Sequence, residues 1–437
     1  SVLVGHSEQN GGRRILNFRR IPRRRFAEGA SVGLRRGGKL EQVPETWAFL
    51  WSENPGLEFS DAYLNEWGVG IVSDRCATRE DDYQRLVGRG EIRSGGIGYM
   101  LRRLVAERAR NAREGVELAG KLVERFGYVD TGRSYVIADP REAWVVAVVR
   151  GRRWVAQRVP DDRVVILPNV HIIGQVDLAD TDHFLASPDL VGYAARRGWF
   201  DPGAGEPFSF RNVYSETRGG PVDPRRLRGR ELVTGQSESV SPGEGLSFGV
   251  RPAKKMTVAA VVEILRDTKG AVPLSTPGTQ EGTVFQLRAN VPREVGCVYW
   301  RTTAEPAASV LTPWYLGITE TPPSYFRSAS VEEHMSLDHH FQPPRGTFDF
   351  DRNLAWWTFK TLQDRVHQDY RRRIAVVATA WGEFEREMFE NQPSVEAEAL
   401  KLRKTDQEAA RRHLTEYCAD VAARARREAE KMIGARR

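Results

Sequence analysis

Two asparagines stand at the ends of apolar runs, where a side-chain amide can donate hydrogen bonds into a cleft without losing the support of the strand behind it. Asn169 lies in Pro168-Asn169-Val170-His171, directly after Val164-Val165-Ile166-Leu167. Asn65 lies in LNEWGVGIV, residues 64–72, ahead of a glycine and a second apolar run. On residue type alone Asn65 also suits a turn, because Asn bonds its own backbone locally and tolerates left-handed geometry. His171 is read as a structural or substrate-facing ring rather than a base. Ser1 is a weighed nucleophile, since a terminal Ser hydroxyl can attack with its own α-amine as base. His334, Asp338, His339 and His340 resemble a ligand cluster, but adjacent histidines on one regular element cannot face the same ion, so no metal and no cofactor is expected. Cys76, Cys297 and Cys418 are far apart with no ligand spacing, and are read as buried thiols.

The elements that must position these groups show in the periodicity. Residues 133–138 and 143–149 are β-branched and aromatic runs around Asp139-Pro140-Arg141-Glu142, a turn composition. Residues 154–159 form a third strand and 164–167 a fourth, giving an antiparallel meander that runs into Asn169. Residues 1–5 and 15–21 are expected to pair as a first hairpin through Asn10-Gly11-Gly12. Residues 43–51 read as a core strand. The apolar spacing over 94–126 predicts one or two helices on a sheet, and 256–268 another. Residues 201–245, rich in Gly, Pro, Ser and Arg, are read as loops, and 278–319 as three strands. From Leu354 onward the pattern is helical: one stripe from Trp356 to Tyr370, a helix over 375–389 ended by Gln392-Pro393, and a charged last helix over 406–433 expected to pack loosely or meet a partner.

The 437 residues suffice for one large domain or two to three ordinary ones, and 40% hydrophobic residues support a sizeable core. No run reaches the roughly 18 apolar residues of a membrane span, so a soluble protein without a membrane partner is expected, with the cytoplasm favoured. The net charge of +7 arises from 65 basic against 58 acidic residues. Arginines crowd residues 13–36, yet no binding motif or interleaved aromatic accompanies them, so a solvated basic surface is expected and no nucleic acid. The chain opens without Met in mid-strand, which reads as a removed segment or a fragment.

The stretch 133–177 followed by GYAARRGWFDPGAGEPFSFRNVYSE (192–216), with NEWGV, EGTVFQLR and AWWTF, resembles the secernin and PepD-type bacterial dipeptidase family of N-terminal-nucleophile (Ntn) hydrolases. The resemblance implies an α+β fold, the four-layer αββα Ntn sandwich, over residues 1–345, with a helical extension over 346–437. It implies dipeptide hydrolysis by a terminal Cys, here expected upstream of Ser1, with no metal. Asn65 and Asn169 match the family's oxyanion-holding asparagines. His6 and Gln9 fall where relatives carry an Arg and an Asp that position the nucleophile; Gln9 cannot balance a protonated amine. PRRLRGREL (224–232) matches an Arg-rich step, so Arg225 and Arg228 are candidates for a substrate carboxylate. Thr283 stands where Glu-Gly-His is frequent. A non-catalytic peptide- or partner-binding member, and an amidase of N-acyl compounds, are the alternatives, and a homo-oligomer is possible.

Overall fold

The computed structural model describes all residues except 11–13, 217–221, 239, 241–244, 328 and 435–437. The chain divides into two compact units. One is Ser1–Arg23 with Trp47–Gly68 and Met256–Arg437, the other Arg24–Thr46 with Val69–Lys255. Both mix helices with antiparallel strands, so the class is α+β.

In the first unit, strands Val2–Glu8, Glu281–Leu287, Cys297–Thr303 and Leu311–Tyr315 lie side by side in that order. Val2 stands opposite Leu287 and Glu8 opposite Glu281. Every residue of Cys297–Thr303 is buried, the mark of a central strand covered on both faces. A second group pairs Phe49–Glu53 with Asn17–Ile21 on one side and Tyr63–Asn65 on the other. The first hairpin is therefore corrected: Val2–Glu8 and Asn17–Ile21 do not pair with each other, and residues 11–13 of its turn lie outside the described residues. An isolated two-stranded hairpin is marginal in water, whereas each strand here gains a buried neighbour. Helix Val258–Leu265, capped by the Thr257 side chain, rides on Val2–Glu8 at Gly5, where an added Cβ would come within 2.6 Å of Val261.

The second unit carries the meander, Tyr128–Ala138, Ala143–Gly151 and Trp154–Arg158, flanked by Gly70–Arg75 and Phe184–Ala186. Its first turn works as Asp139 predicts, with Oδ1 accepting the N–H groups of Arg141 and Glu142 at 2.7 and 3.1 Å. Residues 164–167 are not a strand. Only Val164 makes a bridge, to Val250. Helices Leu101–Arg108 and Ala112–Phe126 pack on the sheet. Val145, Ala147 and Val155 pack with Ile173, Tyr193, Phe208, Phe210 and Tyr214 in a second core cluster. Residues 201–245 therefore supply core and helix rather than loops alone: Phe210–Tyr214 and Pro224–Thr234 are helical.

In the first unit the C-terminal third forms helices Ala355–Gln368, Tyr370–Leu402 and Gln407–Gly434. Pro393 does not end its helix but sits inside it. Loose packing of the last helix is likewise corrected: Leu414, Cys418, Val421, Ala422, Ala425 and Ala429 are a buried seam along one side.

Candidate active site

Asn65 ends strand Tyr63–Asn65 and is fully buried. Its Oδ1 accepts the Trp67 N–H at 3.0 Å, and its carbonyl accepts the Gly68 N–H at 2.8 Å, with Gly68 at φ +81°. The local turn thus uses the oxygen of the side chain and fixes the amide plane. Glu66, next along, accepts the Ala48 N–H at 2.9 Å and pairs with Arg23 at 2.8 Å. In the same unit, alternation along Val2–Glu8 buries Val4, His6 and Glu8. His6 Nδ1 stands 3.7 Å from Asp61 Oδ2, with Glu8 within reach of both. The carboxylate beside His6 is Asp61, not a residue at position 9, where Gln9 stands. Nothing in its local pattern marks it, because the loop from Asn54 onward brings it back. Gln9 ties strand end to loop, its Nε2 donating to Leu274 O at 3.0 Å and Thr279 Oγ1 at 3.2 Å.

In the other unit Asn169 is exposed, and its Nδ2 donates to Arg75 O at 3.2 Å. A primary amide has two N–H donors, so one remains beyond that bond. Arg225 and Arg228 lie on helix Pro224–Thr234, whose start signals were legible: Asp223 caps it, Pro224 fills the first turn and Gly235 ends it in left-handed geometry. Arg225 pairs with Asp223 at 3.2 Å and Arg228 with Glu231 at 2.9 Å, so both already hold carboxylates. The buried pair on this helix is Arg226 and Arg230. Burial pulls the Arg226 guanidinium down to about 10.

Cys76 and His171 form the other suggestive constellation, linked through Ser134. Cys76 Sγ lies 3.3 Å from Ser134 Oγ, which lies 3.3 Å from His171 Nδ1. A reactive thiolate–imidazolium pair needs the thiol pulled down and the ring pushed up. Here burial drives both the other way, the Cys76 thiol up to about 12 and the His171 ring down to about 3. The chain of three is a neutral hydrogen-bonded prop. Cys297 and Cys418 are also buried, and burial pushes each thiol up to about 12.

Comparison with known proteins places the chain in a family. The model of peptidase family C69 matches residues 52–383. The chain belongs to this family. It is 28% identical over 288 residues to a probable dipeptidase of Salmonella dublin, covering 60% of this chain and 64% of that protein. It is 28% identical over 299 residues to a probable dipeptidase B of Lactococcus lactis, with 60% of each covered. The chain spans about three fifths of the length of the curated relatives it matches. Among solved structures it is similar to a penicillin V acylase from Agrobacterium tumefaciens, with a TM-score of 0.39 at 13% identity over 72% of this chain and 82% of that one. It is also similar to a variant of conjugated bile acid hydrolase from Clostridium perfringens, with a TM-score of 0.31 at 14% identity over 69% and 85%. No helix among the described residues is long and apolar enough to cross a membrane.

Proposed function

We propose that this chain hydrolyses the peptide bond of dipeptides on an Ntn-type framework. A cysteine thiolate attacks the carbonyl carbon, the C–N bond breaks, and the α-amine of that cysteine carries the proton to the leaving amine. Water then cleaves the thioester to the free carboxylate. Asn65 and Asn169 donate to the oxyanion, and Arg225 and Arg228 meet the carboxylate of the dipeptide. His6, with Asp61, and Gln9 border the nucleophile. The observation that carries this reading is the family match, which runs through Asn65, Asn169 and both arginines, together with relatives named probable dipeptidases. The attacking thiol is none of Cys76, Cys297 or Cys418, whose burial holds them neutral, so the reading places it on a cysteine outside the 437 residues. It implies small peptide partners, with neither nucleic acid nor membrane, and a cytoplasmic setting.

A non-catalytic, peptide-binding member is the second reading, favoured by Gln9 being tied to Leu274 and Thr279. A mixed dipeptide panel separates the two, run on this chain and on a version extended to an upstream Cys. The extended form is expected to turn over dipeptides, with Asn65→Ala and Asn169→Ala each lowering kcat about 10²- to 10³-fold. Turnover by the 437-residue chain abolished by Ser1→Ala would instead make Ser1 the nucleophile. Binding without turnover in both forms would favour the second reading.

A further inference from the structure

Three side chains from separate stretches of the first unit converge on one buried point. Glu53 ends strand Phe49–Glu53, His334 ends the short helix Val331–His334, and His339 lies in helix Leu337–Phe341. His334 Nδ1 is 2.5 Å from Glu53 Oε2, and His339 Nε2 is 2.7 Å from Glu53 Oε1. Glu53 and His334 are fully buried and His339 is 7% exposed. The second contact is short but misaligned: among the described residues neither Glu53 Oε1 nor His339 Nε2 makes a hydrogen bond of acceptable geometry. A carboxylate oxygen and a ring nitrogen thus face each other at 2.7 Å in a site closed to solvent.

We propose that Glu53, His334 and His339 bind one divalent metal ion of the zinc type, as a structural site outside the peptide chemistry. Two imidazoles and a carboxylate are the donor set that suits zinc and its neighbours, whereas calcium and magnesium take oxygen ligands throughout. Oε1 faces one ring and Oε2 the other, so a bidentate Glu53 completes four donors. Partners outside the ligands fit as well. His334 Nε2 faces Arg327 O at 3.3 Å, and Asn17 Nδ2 donates to Glu53 Oε2 at 2.9 Å. A ligating histidine commonly gives its other N–H to a backbone carbonyl or carboxylate in this way. Metal–ligand distances of about 2.0–2.1 Å need donors roughly 3.3 Å apart, so the rings move outward by less than about 1 Å on binding. Imidazole and carboxylate bind the ion in their deprotonated forms, so any proton held between the rings and Glu53 is released to solvent on binding.

His340 is not a ligand. Its ring nitrogens face Leu57 O at 3.1 Å and His334 O at 2.9 Å, and its ring packs 4.1 Å from Phe59. It holds the turn between the two ligand-bearing helices, and the ion would then clamp that segment to strand Phe49–Glu53.

The test uses the full chain, stripped with a chelator and reloaded with zinc chloride or cobalt(II) chloride. We expect one ion per chain retained through gel filtration by elemental analysis, a Tm raised by zinc and lowered by chelator, and cobalt d–d bands of a tetrahedral nitrogen–oxygen site. His339→Gln and Glu53→Gln are expected to lose the ion, Asn17→Leu to weaken it about 10- to 100-fold, and exposed Asp338→Asn to keep it. A wild-type chain that retains no zinc and gives only the hydrated cobalt spectrum overturns the proposal, even if the variants fail to fold. Full occupancy in His339→Gln overturns it too. Neither outcome bears on dipeptide turnover.

Discussion

Glu281 shows how much of this fold hangs on single buried charges. It is 1% exposed, and its Oε1 accepts from Arg301 Nε at 2.7 Å and from Ser52 Oγ at 2.8 Å, while the Arg301 guanidinium lies 4.6 Å from the Phe18 ring centre. Removing one member of a buried pair leaves the other uncompensated, at a cost of about 3–5 kcal/mol. Urea unfolding of Glu281→Gln should show a loss of that size, and adding Arg301→Met should recover most of it. The strand EGTVFQLR was legible from its composition. The pairing was not, because it needs the register that sets Thr283 opposite Arg301 and so puts Glu281 on the diagonal. His171 makes a pH prediction. Its folded value of about 3 lies below the roughly 6.5 of an unfolded His, so below pH ~6.5 the unfolded chain takes up a proton that the native one refuses. The stability it allows is complete above pH ~6.5 and falls, by up to about 1.4 kcal/mol per pH unit, as the pH drops toward 3. His171→Gln should flatten that acid limb in chemical denaturation series, and an unchanged limb would count against a neutral buried ring. By the same burial argument, Cys76→Ser, Cys297→Ser and Cys418→Ser should each leave dipeptide turnover within a few-fold in a form that has it.

At the scale of elements, periodicity succeeded where one face meets a sheet and failed where packing overrides local rules. Helix Ala112–Phe126 is a success: Asn111 caps it by accepting the Glu114 N–H at 2.9 Å, and Val116, Ala119 and Val123 form the buried stripe. Gly120 in its middle looks like a flaw, since Gly costs about 1 kcal/mol against Ala in a helix. The reason is Trp154, whose ring would lie 2.1 Å from an added Cβ and whose Nε1 donates to Glu124 Oε1 at 2.8 Å. Gly120→Ala should therefore destabilise by about 1–3 kcal/mol, the cost of overpacking, rather than stabilise. A raised Tm would show that Trp154 can yield. Pro393 illustrates the failure. It removes one helical hydrogen bond, but Met388 and Ala399 are buried on either side, and Glu396 pairs with Arg288 at 2.7 Å. Tertiary contacts hold the helix where sequence rules end it. The helix Pro224–Thr234 departs from the loop expectation for the opposite reason: Asp223, Pro224 and Gly235 cap and stop it, but Asp, Pro and Gly are equally the residues of turns.

For the whole molecule, the class and most strands were legible, but the division was not. Each unit is assembled from separated stretches, and no composition shift marks Arg23 or Gly68. Among the described arginines of residues 13–36 none is fully buried, but elsewhere several are interior: Arg102, Arg133, Arg226, Arg230 and Arg301 are all at least nine-tenths buried. Sequence shows charge but not the carboxylate that will fold against it. Glu385 makes the point for the C-terminal helices. From helix Tyr370–Leu402 it reaches Arg266 at 2.5 Å and accepts the Leu311 N–H at 2.7 Å, so one carboxylate ties the helix to both a neighbouring guanidinium and the start of a core strand. Two residues on, Glu387 pairs with Arg424 at 2.6 Å, but both side chains stand in solvent. Distance alone ranks the two pairs as equals, whereas burial separates them. Glu385→Ala leaves the buried Leu311 N–H without its acceptor and takes the carboxylate from Arg266, which keeps the Pro306 and Ser309 carbonyls, and should cost about 1–3 kcal/mol. Glu387→Ala should cost no more than about 1 kcal/mol, and less at high salt. Equal losses from the two substitutions in urea unfolding would mean that the helices of residues 346–437 are a loosely attached extension. The expected inequality would make them part of the same cooperative core as the strands they cover.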